Sequence, residues 1–156
     1  DSSYSYYCLA ENIYLSARDS LNLSRVLYSK SVVLSMNGVF SEAETQILKS
    51  VKFNTKKTSL EQKLHQYSLL GNIFSGLGML DDATYFYKQA INIVDNKEIL
   101  SETTNAVLNL SRVYIYTNLS RIYVSQGKYD AARKLLENTT ANYIDFSNYI
   151  SERYYA

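Results

Sequence analysis

Four alanines recur along the chain in one local setting, and no other feature restricts the fold as much. Ala10, Ala43, Ala83 and Ala132 each stand three residues after a bulky apolar side chain: Tyr7, Phe40, Leu80 and Tyr129. Four residues later another follows, at Tyr14, Ile47, Tyr87 and Leu136, and then a smaller residue at Ala17, Ser50, Ala90 and Thr139. Spacings of three, four and seven bring these positions onto one face of a helix. In three copies a further helical stretch comes first. These stretches are Leu27-x3-Ser31-x2-Leu34, Tyr67-x2-Leu70-Gly71-x2-Phe74 and Tyr116-x2-Leu119-Ser120-x2-Tyr123. Each runs on to a glycine, Gly38, Gly78 or Gly127, the residue that ends a helix in the left-handed conformation at least cost. The repeating unit is a helical hairpin whose arms approach closely at small residues.

Composition points the same way. The 156 residues hold no proline and five glycines, so the turn punctuation of a β fold is missing. Breaks in the apolar periodicity divide the chain into about eight helices, over 3–17, 20–36, 41–53, 59–76, 81–95, 98–126, 129–139 and 142–155. Ser41 with Glu44, and Ser59 with Gln62, match the capping box, in which a hydroxyl and a carboxylate or amide satisfy orphan helix-end donors. Asp81 suits an N-cap, where its charge favours the positive end of the helix dipole.

These motifs resemble the tetratricopeptide repeat, a helix–turn–helix unit with an aromatic-x2-Leu-Gly-x2-Tyr first helix and an Ala-x3-Phe-x2-Ala second helix. The resemblance implies an all-α, right-handed superhelix of about eight antiparallel helices spanning 1–156 as one array. Within it, 20–53, 59–95 and 98–139 are whole repeats. Residues 3–17 read as the second helix of a repeat whose first helix lies upstream, and 142–156 as a further first helix or a cap. Both ends are thus expected to be cut from a longer array. The proline that closes the family's second helix is absent; Asn22, Thr55, Asp95 and Ile144 stand near its places. The aligned alanines are 33, 40 and 49 residues apart, against a usual period of about 34. The excess is expected in longer first helices, most visibly from Glu98 to Gln126.

Residues that carry chemistry are few. One histidine, His65, and one cysteine, Cys8, lie far apart, with no triad setting around either. His65 reads as an ordinary groove histidine, and Cys8 as a buried structural thiol. Gly71, Gly76 and Gly78 lack the Gly-Lys-Ser/Thr of a phosphate loop. Asp81-Asp82 has no companion metal ligands. No enzyme activity, cofactor or metal is therefore expected. The balance of 16 Lys+Arg against 15 Asp+Glu speaks against nucleic acid as a direct partner. No apolar run approaches the roughly 18 residues of a membrane span. A single cysteine slightly favours the cytoplasm and is compatible with the periplasm. Tyrosine is abundant, at 16 residues. Tyr14, Tyr67, Tyr87, Tyr123 and Tyr129 occupy aligned packing places, whereas Tyr28 and Tyr114 point by helical phase toward a groove.

In the family the first helices line a concave face that holds ligands. The same phase projects Arg25, Tyr28, Ser29 and Val32 from one first helix, His65, Ser68, Leu69 and Asn72 from the next, and Tyr114, Thr117, Asn118 and Arg121 from the third. Asn72 and Asn118 form a pair able to bond a peptide backbone through amides that both donate and accept. Arg121 suits a carboxylate. Solvated polar residues without a ligand are the alternative. The family's chaperone-binding branch grips a terminal carboxylate with lysines, asparagines and an arginine. Asn72 and Asn118 match its asparagines, but Ser68 stands where its first lysine belongs, so that clamp is incomplete. The reading is a protein- or peptide-interaction module, as in the sensor or scaffold region of a bacterial transcription regulator. The alternative is a structural or homo-oligomerisation spacer, with a second copy or the chain's own final segment in the groove.

Overall fold

The computed structural model describes residues 2–96, 98–99 and 104–137. Six helices follow in order: α1 (Ser2–Ser16), α2 (Ser20–Met36), α3 (Phe40–Lys52), α4 (Leu60–Gly76), α5 (Leu80–Val94) and α6 (Asn105–Ser125). A seventh, α7, occupies 129–137. Among the described residues there is no strand. Packing is densest between α2 and α3 and between α4 and α5, while α3 against α4 and α5 against α6 join one hairpin to the next. The helices α2, α4 and α6 also touch in succession. The result is a tetratricopeptide-like solenoid with those three helices side by side along one face.

Identical turns make the hairpins. Gly38, Gly78 and Gly127 have φ of 75°, 76° and 71°. The next residue sends its N–H back to the carbonyl five residues earlier: Val39 to Leu34 at 2.9 Å, Met79 to Phe74 at 2.9 Å and Lys128 to Tyr123 at 2.8 Å. This is the Schellman ending, which consumes orphan helix carbonyls and packs an apolar pair across the turn. In the third copy Lys128 takes the place of the apolar residue, and its ammonium sits 5.9 Å from the Tyr123 ring centre.

Small residues then set the approach of the two arms. Ser31 donates its Oγ hydrogen to the Ala43 carbonyl at 2.8 Å, and Ser120 Oγ lies 3.4 Å from the Ala132 carbonyl. Gly71, in the equivalent place, receives the ring of Tyr87. Ala43, Ala83 and Ala132 are buried, as the close approach requires. The amphipathic α5 buries only Ala83, Tyr87, Ala90 and Val94, one stripe at helical spacing. The helix α4, flanked by neighbours, buries seven residues around a wider arc. Each large apolar side chain so enclosed contributes about 1.5–3 kcal/mol.

Where the family's proline is missing, polar networks hold the connections. Arg112 on α6 donates to Asp95 Oδ1 at 3.1 Å, to the Val94 carbonyl at 3.0 Å and to Asn109 at 3.0 Å. Tyr116 donates to Asp95 Oδ2 at 3.0 Å. Within the hairpin of α2 and α3, Ser24 and Ser50 exchange bonds to each other's carbonyls at 2.8 and 2.7 Å, and α4 joins them from the next hairpin. Gln66 reaches Ser50 Oγ at 2.8 Å and takes a bond from Asn54 at 2.8 Å.

Several sequence expectations need correction. Of the two capping boxes, Ser59 does accept from the Gln62 N–H at 3.1 Å. The Ser41–Glu44 box does not form at the helix start, because the Schellman turn begins α3 one residue earlier, behind Val39. For the same reason Met79, not Asp81, precedes α5, and Asp81 and Asp82 lie within its first turn. The helix expected from residue 98 starts at Asn105. The Asn96 side chain accepts from the Glu98 N–H at 3.0 Å, Ile99 is buried, and Thr104 caps the helix. The wider alanine spacing is therefore only partly helical. The first helices α2 and α4 have 17 residues each and α6 has 21, while the connections lengthen from 17–19 through 53–59 to 95–104. Cys8 is half-buried rather than enclosed, and Tyr129, taken as packing filler, is exposed. The segment 142–156 lies outside the described residues.

Candidate functional site

Because α2, α4 and α6 lie side by side, side chains one turn apart on each share a trough of about 930 Å³. Tyr28 and Val32 come from α2, His65, Ser68, Leu69 and Asn72 from α4, and Tyr114, Thr117, Asn118 and Arg121 from α6. A second recess of about 310 Å³ continues past Tyr28 and His65 to Arg25, Ser29, Ser59, Glu61 and Gln62. The twelve residues projected by helical phase are thus all on these walls. Phase reasoning missed Ser35, Met36, Leu110, Ser111 and Val113. Four of these extend the stripes by one turn: Ser35 and Met36 beyond Val32, Leu110 and Ser111 before Tyr114. The projection stopped a turn too soon on both helices. Met36 and Leu110, 82% and 60% exposed, add apolar surface to the lining.

The floor is an aromatic and amide cluster. Tyr28 stacks on His65 with centroids 6.4 Å apart and planes 24° from parallel. Tyr87 reaches through from α5 and donates its hydroxyl hydrogen to Asn72 Oδ1. The Asn72 amide in turn donates to the Tyr114 hydroxyl oxygen. One N–H and the oxygen of that amide are therefore engaged inside the protein, and its second N–H remains for a bound backbone. What the chain of bonds leaves available is the hydroxyl hydrogen of Tyr114, aimed from a half-exposed ring. Burial raises the pKa of Tyr28, and the neighbouring phenol of Tyr114 raises it further, so this hydroxyl stays neutral.

The other member of the asparagine pair differs. Among the described residues no hydrogen bond engages the half-buried Asn118 side chain, and no carboxylate pairs with Arg121, one turn along α6. The lining residues of the larger trough include no Asp or Glu. The lining thus combines apolar side chains with hydroxyl and amide donors and a guanidinium. Among the described residues no group of three or more His, Cys, Asp or Glu is disposed to hold a metal ion, and no helix is long and apolar enough to cross a membrane.

Comparisons with known proteins agree with this architecture. Residues 108–141, a span that includes Tyr116 and Ala132, match the tetratricopeptide repeat. No curated protein sequence matches the chain. Among solved structures, the crystal structure of BtubC (BKLC) from P. vanneervenii is similar, with a TM-score of 0.67 and 18% identity. The likeness covers 90% of this chain and 55% of that one, so the chain spans just over half that structure's length. At this identity it is the helical-repeat fold that is shared. A repeat of this type is a protein–protein interaction element, and stacked repeats present an extended concave surface.

Proposed function

We propose that this tetratricopeptide-type array binds an extended segment of a partner protein in the trough between α2, α4 and α6, without catalysing a reaction. The observation that carries the reading is the electrostatic make-up of the walls. Unspent donors at Tyr114, Asn118 and Arg121 face a space whose lining holds no carboxylate. Such a surface suits peptide carbonyls and an acidic side chain, with apolar side chains against Met36 or Leu110. The bidentate fork of Arg121 is well shaped for a carboxylate, and Asn118 both donates and accepts along a backbone. A role as the sensor or scaffold region of a larger bacterial regulator is compatible with this reading and rests on the family resemblance alone.

The test is a peptide array of acidic–apolar sequences probed with the purified chain, followed by titration of the best binder. Asn118→Ala and Arg121→Ala are each expected to weaken binding about tenfold or more, with melting temperature nearly unchanged. Binding that survives both substitutions intact would place the ligand elsewhere.

A further inference from the structure

Arg25, His65 and Tyr114 each stand six residues before the small position of their repeat, at Ser31, Gly71 and Ser120. They therefore occupy one place on α2, α4 and α6, and all three have flat side chains. The row runs through both recesses: Arg25 lines the smaller, Tyr114 the larger and His65 both. Tyr28, one turn along α2 from Arg25, lays its ring on His65 and widens the flat surface. Helices in packing contact lie about 8–10 Å apart, and α2, α4 and α6 touch in succession. A chain crossing them meets one member of the row at each such step. A β-strand returns to the same face every two residues, about 6.7 Å, which falls short of that step. A polyproline II helix returns every three residues, about 9.3 Å, and matches it.

The bonding capacity of the walls selects the same ligand. No carboxylate lines the larger trough, and the Asn72 oxygen already takes the Tyr87 hydroxyl, so strong acceptors for backbone N–H groups are scarce there. Donors are plentiful: the Tyr28 and Tyr114 hydroxyls, the second Asn72 N–H, the Asn118 amide and Arg121. Proline has a backbone carbonyl and no N–H, so a run of prolines asks only for donors. We propose that the occupant of the trough is a proline-rich segment in the polyproline II conformation, with every third residue seated on one of Arg25, His65 and Tyr114. Its pyrrolidine rings lie against the flat side chains, and its preformed helix loses little freedom on binding. This rests on reading the trough as a peptide groove, and it names the class of peptide.

Calorimetric titration with a blocked nonaproline peptide, about 28 Å long in this conformation, tests the proposal. It is expected to bind at least about tenfold tighter than a blocked serine–alanine nonapeptide, and to displace the acidic–apolar binder. Tetraproline, which reaches two members of the row, is expected to bind about tenfold more weakly than nonaproline. His65→Ala and Tyr114→Ala should each weaken nonaproline binding about tenfold. Arg25→Ala, at an exposed position, should weaken it as well and keeps the test open if a ring variant fails to fold. If nonaproline binds no better than the serine–alanine peptide while a proline-free acidic–apolar peptide binds, this proposal falls and the peptide-groove reading stands. If no peptide binds, both fall. Nonaproline affinity unchanged in the folded variants also overturns it, because the ligand then lies elsewhere.

Discussion

The ring of Tyr87 lies against the bare backbone of Gly71, so closely that a methyl group there would come within 2.6 Å of a ring carbon. The aligned repeats have serine at the glycine's place and an aliphatic residue at the tyrosine's: Ser31 with Ile47, Ser120 with Leu136. The pair is thus a matched exchange of volume between two helices. Gly71→Ser should cost about 1–3 kcal/mol by overpacking, since the enclosed ring has nowhere to move. Tyr87→Ile in the same chain should recover part of that loss. A urea-unfolding cycle of the two single variants and the double variant reads this coupling, and strict additivity would mean that the ring and the glycine are not in register.

Asn72 and Asn118 occupy similar places on successive first helices, and the structure separates their roles. Asn72→Ala strips the hydrogen-bond partner from the buried Tyr87 hydroxyl and should destabilise by about 1–3 kcal/mol. Asn118→Ala removes a side chain without a partner among the described residues and should stay within about 0.5 kcal/mol. Thermal melts of the two variants distinguish them. Equal shifts would mean that the bond chain from Tyr87 through Asn72 to Tyr114 carries no stability.

That separation marks what was legible in the sequence. Hairpin register was readable because it rests on small residues and on Gly38, Gly78 and Gly127, whose roles are set by sterics within one unit. Groove membership was readable for a similar reason: phase on α2, α4 and α6 fixes which residues look inward. The state of each groove residue was not readable, since Asn72 is committed by a tyrosine from a different helix, fifteen residues away. Nor was the true start of α6, which depends on the Asn96 turn, the buried Ile99 and the Thr104 cap outcompeting a continuous helix. Cap placement at α3 and α5 failed because the preceding Schellman turn, an interaction of the upstream helix, decides where the next one starts.

Alkaline pH should loosen the array from its phenols. Burial, with the hydrogen bond that it donates to Asp95, pushes the Tyr116 pKa up to about 12. Burial followed by the nearby Tyr114 phenol also raises Tyr87 and Tyr28. In the unfolded chain such groups lose their protons near pH 10. The stability they contribute is therefore whole below that pH and lost as pH climbs toward and past 12. Lys30 acts in the same sense. Burial works against its ammonium, but the bond and charge of Glu11 outweigh it and raise the pKa, so its contribution is also lost on the alkaline side. Each group adds at most about 1.4 kcal/mol per pH unit within its window. Urea midpoints at pH 8, 10 and 11.5 should fall in that order. Tyr116→Phe should fall less steeply, and an unchanged slope would assign the loss to other groups.

Arg18 is the one non-glycine residue among those described with a left-handed backbone, at φ 52°. It ends α1 as the three glycines end α2, α4 and α6: the Asp19 N–H bonds to the Tyr14 carbonyl at 3.0 Å and the Arg18 N–H to the Leu15 carbonyl at 3.2 Å. A side chain in this conformation costs about 1–2 kcal/mol that glycine avoids. Arg18→Gly should therefore stabilise the turn by about 1 kcal/mol, partly offset by the extra freedom of glycine in the unfolded chain. Because, among the described residues, α1 packs chiefly on α2, its opening is local, and a global melt is the less sensitive probe. Hydrogen exchange of the α1 amides is the better measurement, where 1 kcal/mol slows exchange roughly fivefold. The reverse change, Gly78→Ala, forces a Cβ onto a φ of 76° and should speed exchange at the ends of α4 and α5. If Arg18→Gly left α1 exchange unchanged or faster, the arginine side chain would be supporting that turn through contacts that outweigh its backbone strain.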